Sequence, residues 1–521
     1  MNQLITGNVF DNPEILDFYS VDQSALKITP RFVALPESTA DLERLMKFFD
    51  QLSLRNVHVP IAIRGSGLDE MGADLTTGVV ISTEKLNHLK EIDIRERLVR
   101  VEAGITLKEL NTALSVSGLT IPIGANENET IGGLISNCPT DEYASKYGGI
   151  MNFVERIEVV LSNGDRVQTG RINKYAVAKK TADKTREAEI YRKIYTLTHE
   201  QEKLLNNLKA QNTNSAGYST VAYVNRKDTL DLLPLFFTAE GSLGIISEVI
   251  LRAVPIKKSS LRIIATFPKL TTALKFLDFA NGLKPKALNI FDLSILKIAE
   301  TSGKNLSKIT RALEEGFIIS ATFDEKIPII ARRLSQISKS LPRSSKLILE
   351  DKTNIPIFDE FSNALANFLN LDRDGKRFPL LTNFYIPSTN LPQFIEQLTD
   401  LQKELKLSLP FFGSYSTSNY QLRPKFNSHE PDFATQLTDF IKKGSELIKN
   451  NGGSLTGGYP EGRVKAIITN HDLTDEEKKL YTEIKQIFDP NNILNPDIKL
   501  GADARFTLKH FQTTKSPRVV I

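Results

Sequence analysis

Arg64-Gly-Ser-Gly67-Leu-Asp-Glu-Met-Gly72 follows directly on the apolar run Ile61-Ala-Ile63. The run reads as a strand, and the glycines after it let successive backbone N–H groups turn toward one point. Such a nest suits an anion, a pyrophosphate among them. The stretch is not the Rossmann dinucleotide fingerprint, because Glu70 stands where the third glycine belongs. Nor is it a Walker phosphate loop, because no Gly-Lys-Ser/Thr follows. Read by itself it is an anion nest or a tight turn.

Two more glycine turns follow. Thr130-Ile-Gly-Gly133-Leu-Ile-Ser-Asn137 combines paired glycines, which admit a close ligand, with hydroxyls and an amide that can hydrogen-bond it. Thr238-Ala-Glu-Gly241-Ser-Leu-Gly244-Ile-Ile-Ser-Glu248 feeds a strand. Either one alone reads equally as an ordinary turn.

The text around these turns alternates short apolar runs with amphipathic helices. Ser38-Thr-Ala-Asp41 resembles a capping box with Asp in place of Glu, and Leu42, Leu45, Met46 and Phe49 follow at helical spacing. Val154–Leu161 reads as a strand that enters a hairpin at Asn163-Gly164. Residues 185–212 read as a polar helical insertion with a solvated face. From Lys257 helical and extended segments alternate in the manner of split β-α-β units. No repeat or low-complexity tract appears.

Composition narrows the chemistry. The chain has 521 residues, room for roughly two to four domains, with 40% apolar and 25% charged residues. Cys138 is the one cysteine, and the six histidines, His58, His88, His199, His429, His471 and His510, are scattered. That excludes an internal disulfide, a cysteine zinc site and any local histidine metal box; a metal site would have to be built by long-range contacts, mostly from oxygen ligands, and no metal ligand is assigned. A net charge of +4, from 66 basic and 62 acidic residues, is too balanced for a nucleic-acid protein, though it permits peripheral contact with an anionic membrane. No window approaches a membrane span, and the N-terminus lacks the basic start and apolar core of a signal peptide. With its lone thiol the chain is expected in the cytoplasm.

Taken together, in this order, the motifs resemble the FAD-linked oxidases of the vanillyl-alcohol oxidase type, in the branch of the D-lactate dehydrogenase and glycolate oxidase flavin subunits. The resemblance rests on Arg64–Gly67, Thr130–Asn137, Tyr147-Gly148 with Val154–Gly164, Glu240–Ile245 and Phe488–Pro496, and covers about Pro30 to Gly501. It implies an α+β fold: a two-subdomain PCMH-type FAD-binding domain over 25–256, a ferredoxin-like cap over 257–470, and a segment, 471–521, that returns to the FAD domain. Arg64, Gly65, Ser66 and Gly67 would wrap the FAD pyrophosphate. Thr130, Gly132, Gly133, Ser136 and Asn137 would line the pyrophosphate and the start of the flavin ring. Glu240, Gly241, Gly244, Ile245 and Ile246 would hold the adenine side and ribityl chain. Asn495 would return to the flavin edge, and the substrate would sit between the domains.

The departures from the pattern matter as much. Relatives that tether flavin through histidine carry it where Leu68 stands, and those that use cysteine carry it where Asn128 stands. Non-covalent FAD is therefore expected, with Cys138 structural. The 2-hydroxy-acid enzymes hold a divalent metal with two histidines of a G-H-x-G-D-G-N-x-H segment. Here Gly413–Pro424 aligns at both ends but carries Ser414 and Gln421 in those places. A second segment that supplies a glutamate ligand and a histidine base reads Gly457-Gly-Tyr-Pro-Glu-Gly-Arg463, with Gly458 and Tyr459 in the two positions.

Oxidation of a hydroxy acid needs a group to take the hydroxyl proton as hydride leaves carbon. Serine, glutamine and glycine do not supply it, and tyrosine does so only if its pKa falls far below about 10. Tyr459 and Arg423 are the catalytic candidates. Ser414, Asn419, Gln421, Arg423 and Tyr459 are the substrate candidates, with Arg423 suited to a carboxylate. The expected function is an FAD-dependent oxidoreductase that oxidises a small hydroxylated substrate with an unknown electron acceptor. The alternative is a catalytically impaired FAD-binding subunit with a binding or assembly role.

Overall fold

The computed structural model describes residues 1, 3–211, 216–226, 229–257, 259–301, 306, 309, 315–343, 345–353, 355–370, 377–426, 430–458 and 461–512. Tyr459, named above as a catalytic candidate, lies outside them. The chain forms two compact units. The first holds Met1–Pro139, Ile150–Pro255 and Tyr459–Phe511, and the second holds Thr140–Gly149, Ile256–Gly458 and Gln512–Ile521.

Two boundaries differ from those expected. The second unit ends at Gly458 rather than 470, because the helix Gly462–Asp472 packs within the first unit. There the Arg463 side chain donates to Leu75 O and its backbone N–H donates to Met71 O. Thr140–Gly149, expected in the FAD domain, belongs to the second unit instead. Asn289 Nδ2 donates to Glu142 Oε2 at 2.7 Å, and Lys146 and Tyr147 both bond Asp324. Long-range pairing of this kind leaves no mark on local periodicity.

The first unit contains two main sheets. In one, Asn8–Phe10, Phe32–Leu35, Val79–Ser82 and Ile61–Arg64 lie in that order, and the last three run parallel. Helix Thr39–Ser53 covers it with Leu42, Leu45, Met46 and Phe49, all buried in one cluster with Ile61, Val79 and Ile81. Ser38 caps this helix by accepting from Asp41 N–H. The Asp41 carboxylate does not complete the box. It accepts from Thr6, Gly7 and Glu37 N–H, and these bonds, against the effect of burial, hold it down at about 2. The second sheet is antiparallel, in the order Leu89–Asp93, Leu98–Glu102, Ile245–Arg252, Val154–Val160, Arg166–Gln168. Its last two strands are the hairpin read from Asn163-Gly164.

The insertion is more than a solvated helix. It forms Arg186–Glu200 and Glu202–Ala210, whose Ile190, Tyr191, Ile194, Leu197, Leu205 and Leu208 are buried. Charge on the outer face masked an apolar stripe.

The second unit is a seven-stranded antiparallel sheet. Its order is Lys346–Leu349, Leu261–Phe267, Phe317–Phe323, Ala287–Asp292, Phe411–Ser414, Asn419–Leu422, Leu381–Tyr385. Three split β-α-β units build it, with crossover helices Leu270–Gly282, Ile327–Ser340 and Leu391–Leu405. Each crossover pair has one antiparallel strand between its two members, the ferredoxin-like pattern extended.

Leu45 is fully buried in the cluster that backs Ile61–Arg64. Leu45→Ala is expected to cost about 2–5 kcal/mol. It should lower the thermal midpoint in calorimetry and speed hydrogen exchange over 61–67. An unchanged midpoint would place this helix outside the cooperative core.

Candidate functional site

The three glycine turns meet in one groove of the first unit, enclosing about 700 Å³ including its open mouth. Gly65, Ser66 and Gly67 line it from the first turn, with Leu68 and Asp69 beyond. Thr130, Gly132, Gly133, Ser136 and Asn137 line it from the second turn, and Glu240, Gly241, Gly244 and Ile246 from the third. The glycines are needed for the walls to close up. A Cβ at Gly65 would collide with Thr130 Oγ1, the atom that caps helix Ile131–Asn137 by accepting from Gly133 N–H. Gly67 has φ 68°, and a Cβ there would strike the Arg64 guanidinium.

Arg64 itself does not line the groove. Its guanidinium lies behind the turn, where Nη1 donates to Val21 O at 2.8 Å and Nε stands 3.9 Å from Asp74 Oδ2. It also sits over the Tyr19 ring, 5.1 Å from the centroid. Arg64 therefore props the turn from behind. Ile245 points into the core, fully buried. Asn495 Nδ2 donates to Ala73 O at 2.7 Å and to Glu240 O at 2.6 Å, and its own N–H donates to Ile61 O. It pins the third turn to the first sheet.

Two residues that motif reading passed over face the groove, Asp69 and Asp74. The Asp69 carboxyl accepts from Met71 and Ala73 N–H and from Asn137 Nδ2. Burial, then Asp74 and Glu240, nevertheless push it up to about 7. Asp22 is buried nearby and raised in its turn by burial, then by Asp74 and Asp69. A carboxylate facing a diphosphate repels it, whereas a protonated carboxyl can donate to it.

Glu240 plays a structural part as well. Its Oε2 pairs with Lys499 Nζ at 3.0 Å and its Oε1 accepts from Gly462 N–H at 2.8 Å. Lys499 also pairs with Glu461 at 2.8 Å, and Glu461 accepts from Gly217 N–H. Lys499 belongs to no motif, and Glu461 stands at a position of the Gly457–Arg463 segment to which the motif assigns no role, so sequence reading missed both.

In the second unit the register builds a polar row. Ser320 lies opposite Asn289, Asn289 opposite Ser414, Ser414 opposite Asn419, and Asn419 opposite Tyr385. Directly opposed residues share a sheet face. Beside the row, Gln421 Nε2 donates to Asn383 Oδ1 at 2.9 Å, and Arg423 Nη2 donates to Gln421 Oε1 at 3.0 Å. Asn383 sits at a bulge with φ 47°, which re-aims its side chain toward Gln421. Four of the expected substrate residues, Ser414, Asn419, Gln421 and Arg423, thus come together on this sheet. Asn419 Oδ1 is buried without a hydrogen-bond partner, and a Cβ at Gly458 would strike it.

Comparison with known proteins identifies the architecture. Residues 30–170 match the family described as FAD binding domain, and residues 257–498 match FAD linked oxidases, C-terminal domain. The chain carries both domains of the FAD linked oxidases. It is 25% identical to D-lactate dehydrogenase of Archaeoglobus fulgidus, over 92% of this chain and 95% of that protein. It is 22% identical to D-2-hydroxyglutarate dehydrogenase of Pseudomonas putida, over 92% of this chain. There it spans about half of the relative's length, 49%. Among solved structures, 4-ethylphenol oxidase from Gulosibacter chungangensis, as its isoeugenol complex, superposes with a TM-score of 0.67. That match covers 96% of this chain and 95% of that one at 14% identity, a likeness of fold. The cofactor is FAD, and the groove fits it: glycine backbone lines the walls, Ser66, Ser136 and Asn137 offer polar contacts, and Asp69 is neutral below about 7. Among the described residues no helix is long and apolar enough to cross a membrane.

The Asp69 carboxyl holds its proton below about 7 and loses it above. FAD affinity is therefore expected to fall as pH rises through this value, by up to about tenfold per unit. Asp69→Asn should flatten the dependence. Titration of the apoprotein with FAD between about pH 6 and about pH 8.5 measures both. Separately, Gly67→Trp should expel the Arg64 guanidinium and fill the nest. Stoichiometric FAD released on denaturing that variant would show that the turn does not hold the cofactor.

Proposed function

We propose that the chain is an FAD-dependent dehydrogenase of a small hydroxy acid, with FAD held non-covalently and the substrate carboxylate held by Arg423. The observation that carries this reading is the Asn383–Gln421–Arg423 chain beside the polar row. A buried guanidinium whose direction is set by an amide, itself set by another amide, is preorganised for a planar anion. The two relatives named as D-lactate and D-2-hydroxyglutarate dehydrogenases support the substrate class.

Bound FAD supplies the two-electron acceptor for such a reaction. The protein's own residues do the rest. Arg423 binds and orients the carboxylate, while Ser414 and the Asn419 amide offer hydrogen bonds to the substrate hydroxyl. Gln421 stands where the family resemblance puts a metal-binding histidine, and both ends of its amide are engaged in aiming Arg423. The reaction proposed is accordingly independent of a divalent metal.

Ser414 and Gln421 also keep a second reading in view, an FAD-binding subunit without turnover, because neither is a base. An anaerobic flavin-reduction screen with hydroxy acids, alcohols and sugars, with and without a chelator, separates the two. The expected result is bleaching by a D-2-hydroxy acid, unchanged by chelator. Arg423→Leu should weaken apparent substrate affinity by roughly tenfold to a hundredfold while FAD content stays the same. Bound flavin that no donor bleaches would favour the subunit.

A further inference from the structure

We propose that Glu142 is the group that takes the hydroxyl proton of the substrate. This inference rests on the reading of the second unit's polar row as the substrate face. Glu142 lies in Thr140–Gly149, the short segment that folds onto the second unit. Its Oε2 accepts from Asn289 Nδ2 at 2.7 Å. Asn289 stands in the row, directly opposite Ser414, where the resemblance places a metal-binding histidine. A carboxyl is thus tethered one residue from the position the ordinary chemistry vacates. Asn419, the next residue of the row, has a buried Oδ1 with no partner, an unmet acceptor that points to a ligand on this part of the sheet.

The other groups around this end of the sheet are less suited. Asp324 is engaged by Lys146 and Tyr147, and these bonds, outweighing burial, hold it below the usual carboxylate range. Tyr143, Tyr147 and Tyr415 are all raised by burial first, so none is a base near neutral pH. Lys286, whose Nζ lies 3.8 Å from the Tyr143 ring centroid, is lowered by burial but faces Asp324, Glu142 and Asp141, which favour its charge. Glu142 is different. Burial, the first cause, raises it, and Asp141 adds to the rise, while Asn289, Lys286 and Tyr143 oppose it. A carboxylate of raised basicity that remains hydrogen-bonded is a competent proton acceptor.

The step balances. The substrate carbinol carbon gives hydride, two electrons and one proton, to oxidised flavin. Its O–H bond breaks, the proton passes to the Glu142 carboxylate, and the electron pair left behind forms the carbonyl. The products are a keto acid, reduced flavin and a protonated Glu142, which returns its proton to solvent.

Holoenzyme of the wild type, Glu142→Gln and Glu142→Asp tests this with two readouts. The first is anaerobic flavin reduction by D-lactate and D-2-hydroxyglutarate, expected to slow about 100-fold or more in Glu142→Gln and less in Glu142→Asp, with FAD content unchanged. The second is calorimetric binding of oxalate, an unreactive dianion, in buffers of different ionisation heat. Wild type should take up a proton on binding as Glu142 protonates beside the anion, and Glu142→Gln should bind without uptake. Equal reduction rates in wild type and Glu142→Gln, or equal proton uptake, overturn the assignment of Glu142 while the substrate face stands. Wild type that neither bleaches with these acids nor binds oxalate overturns the substrate face and Glu142 together.

Discussion

One buried cation holds the cofactor half of this protein in register. Lys499 is 1% exposed at its side chain and meets two carboxylates, Glu240 at 3.0 Å and Glu461 at 2.8 Å. Each carboxylate accepts in addition from the backbone of a different segment, Gly462 or Gly217. The third glycine turn, the loop before Tyr218, the start of helix Gly462–Asp472 and the C-terminal segment are tied through one ammonium. Removing a partner from such a site leaves a charge without compensation and costs about 3–5 kcal/mol. Glu240 is also a non-glycine residue with φ 52°, so the turn's shape depends on bonds that over-determine it. The groove wall built by Gly241, Gly244 and Ile246 stands on this arrangement.

The second unit uses the opposite device. Its polar row is built almost entirely of neutral amides and hydroxyls, placed by strand register and not by charge. Register is stringent, because a slip of one residue would turn Asn289, Ser414 and Asn419 to the other face. The bulge at Asn383 then breaks the alternation at one point and sends its carboxamide toward Gln421. Arg423 is the one cation of the chain it ends, and its direction is inherited through two amides.

Much of the frame is legible in the residues. The order of Gly65–Gly67, Thr130–Asn137 and Glu240–Ile246 marks the groove, and apolar runs and helical spacing mark elements such as Ile61–Arg64, Val154–Val160 and Thr39–Ser53. What was not legible has physical causes. By the resemblance Arg64 would wrap the pyrophosphate, yet Val21, Asp74 and Tyr19 take up its guanidinium. Asp69 carries no motif role in the sequence, and its carboxyl is held by backbone N–H groups of Met71 and Ala73. Thr140–Gly149 reads as part of the segment it follows, and only its pairing with Asn289 and Asp324 shows where it folds. Asn383 carries no signal, because a bulge is a property of two strands together.

Three of the described histidines serve local structure: His88 pairs with Glu102, His199 bonds Tyr195 O, and His510 bonds Phe506 O. None of the five histidines among the described residues lines the groove or stands in the polar row. With none of the described imidazoles at either site, buried carboxyls are the groups there whose range burial lifts. Asp69 in the groove and Glu142 beside the row are both lifted that way, burial being the first cause in each. The same physical device serves different ends: at Asp69 it removes a charge that would oppose a phosphate anion, and at Glu142 it creates a base. Neither needs a metal to tune it, since desolvation and neighbouring carboxylates already do so.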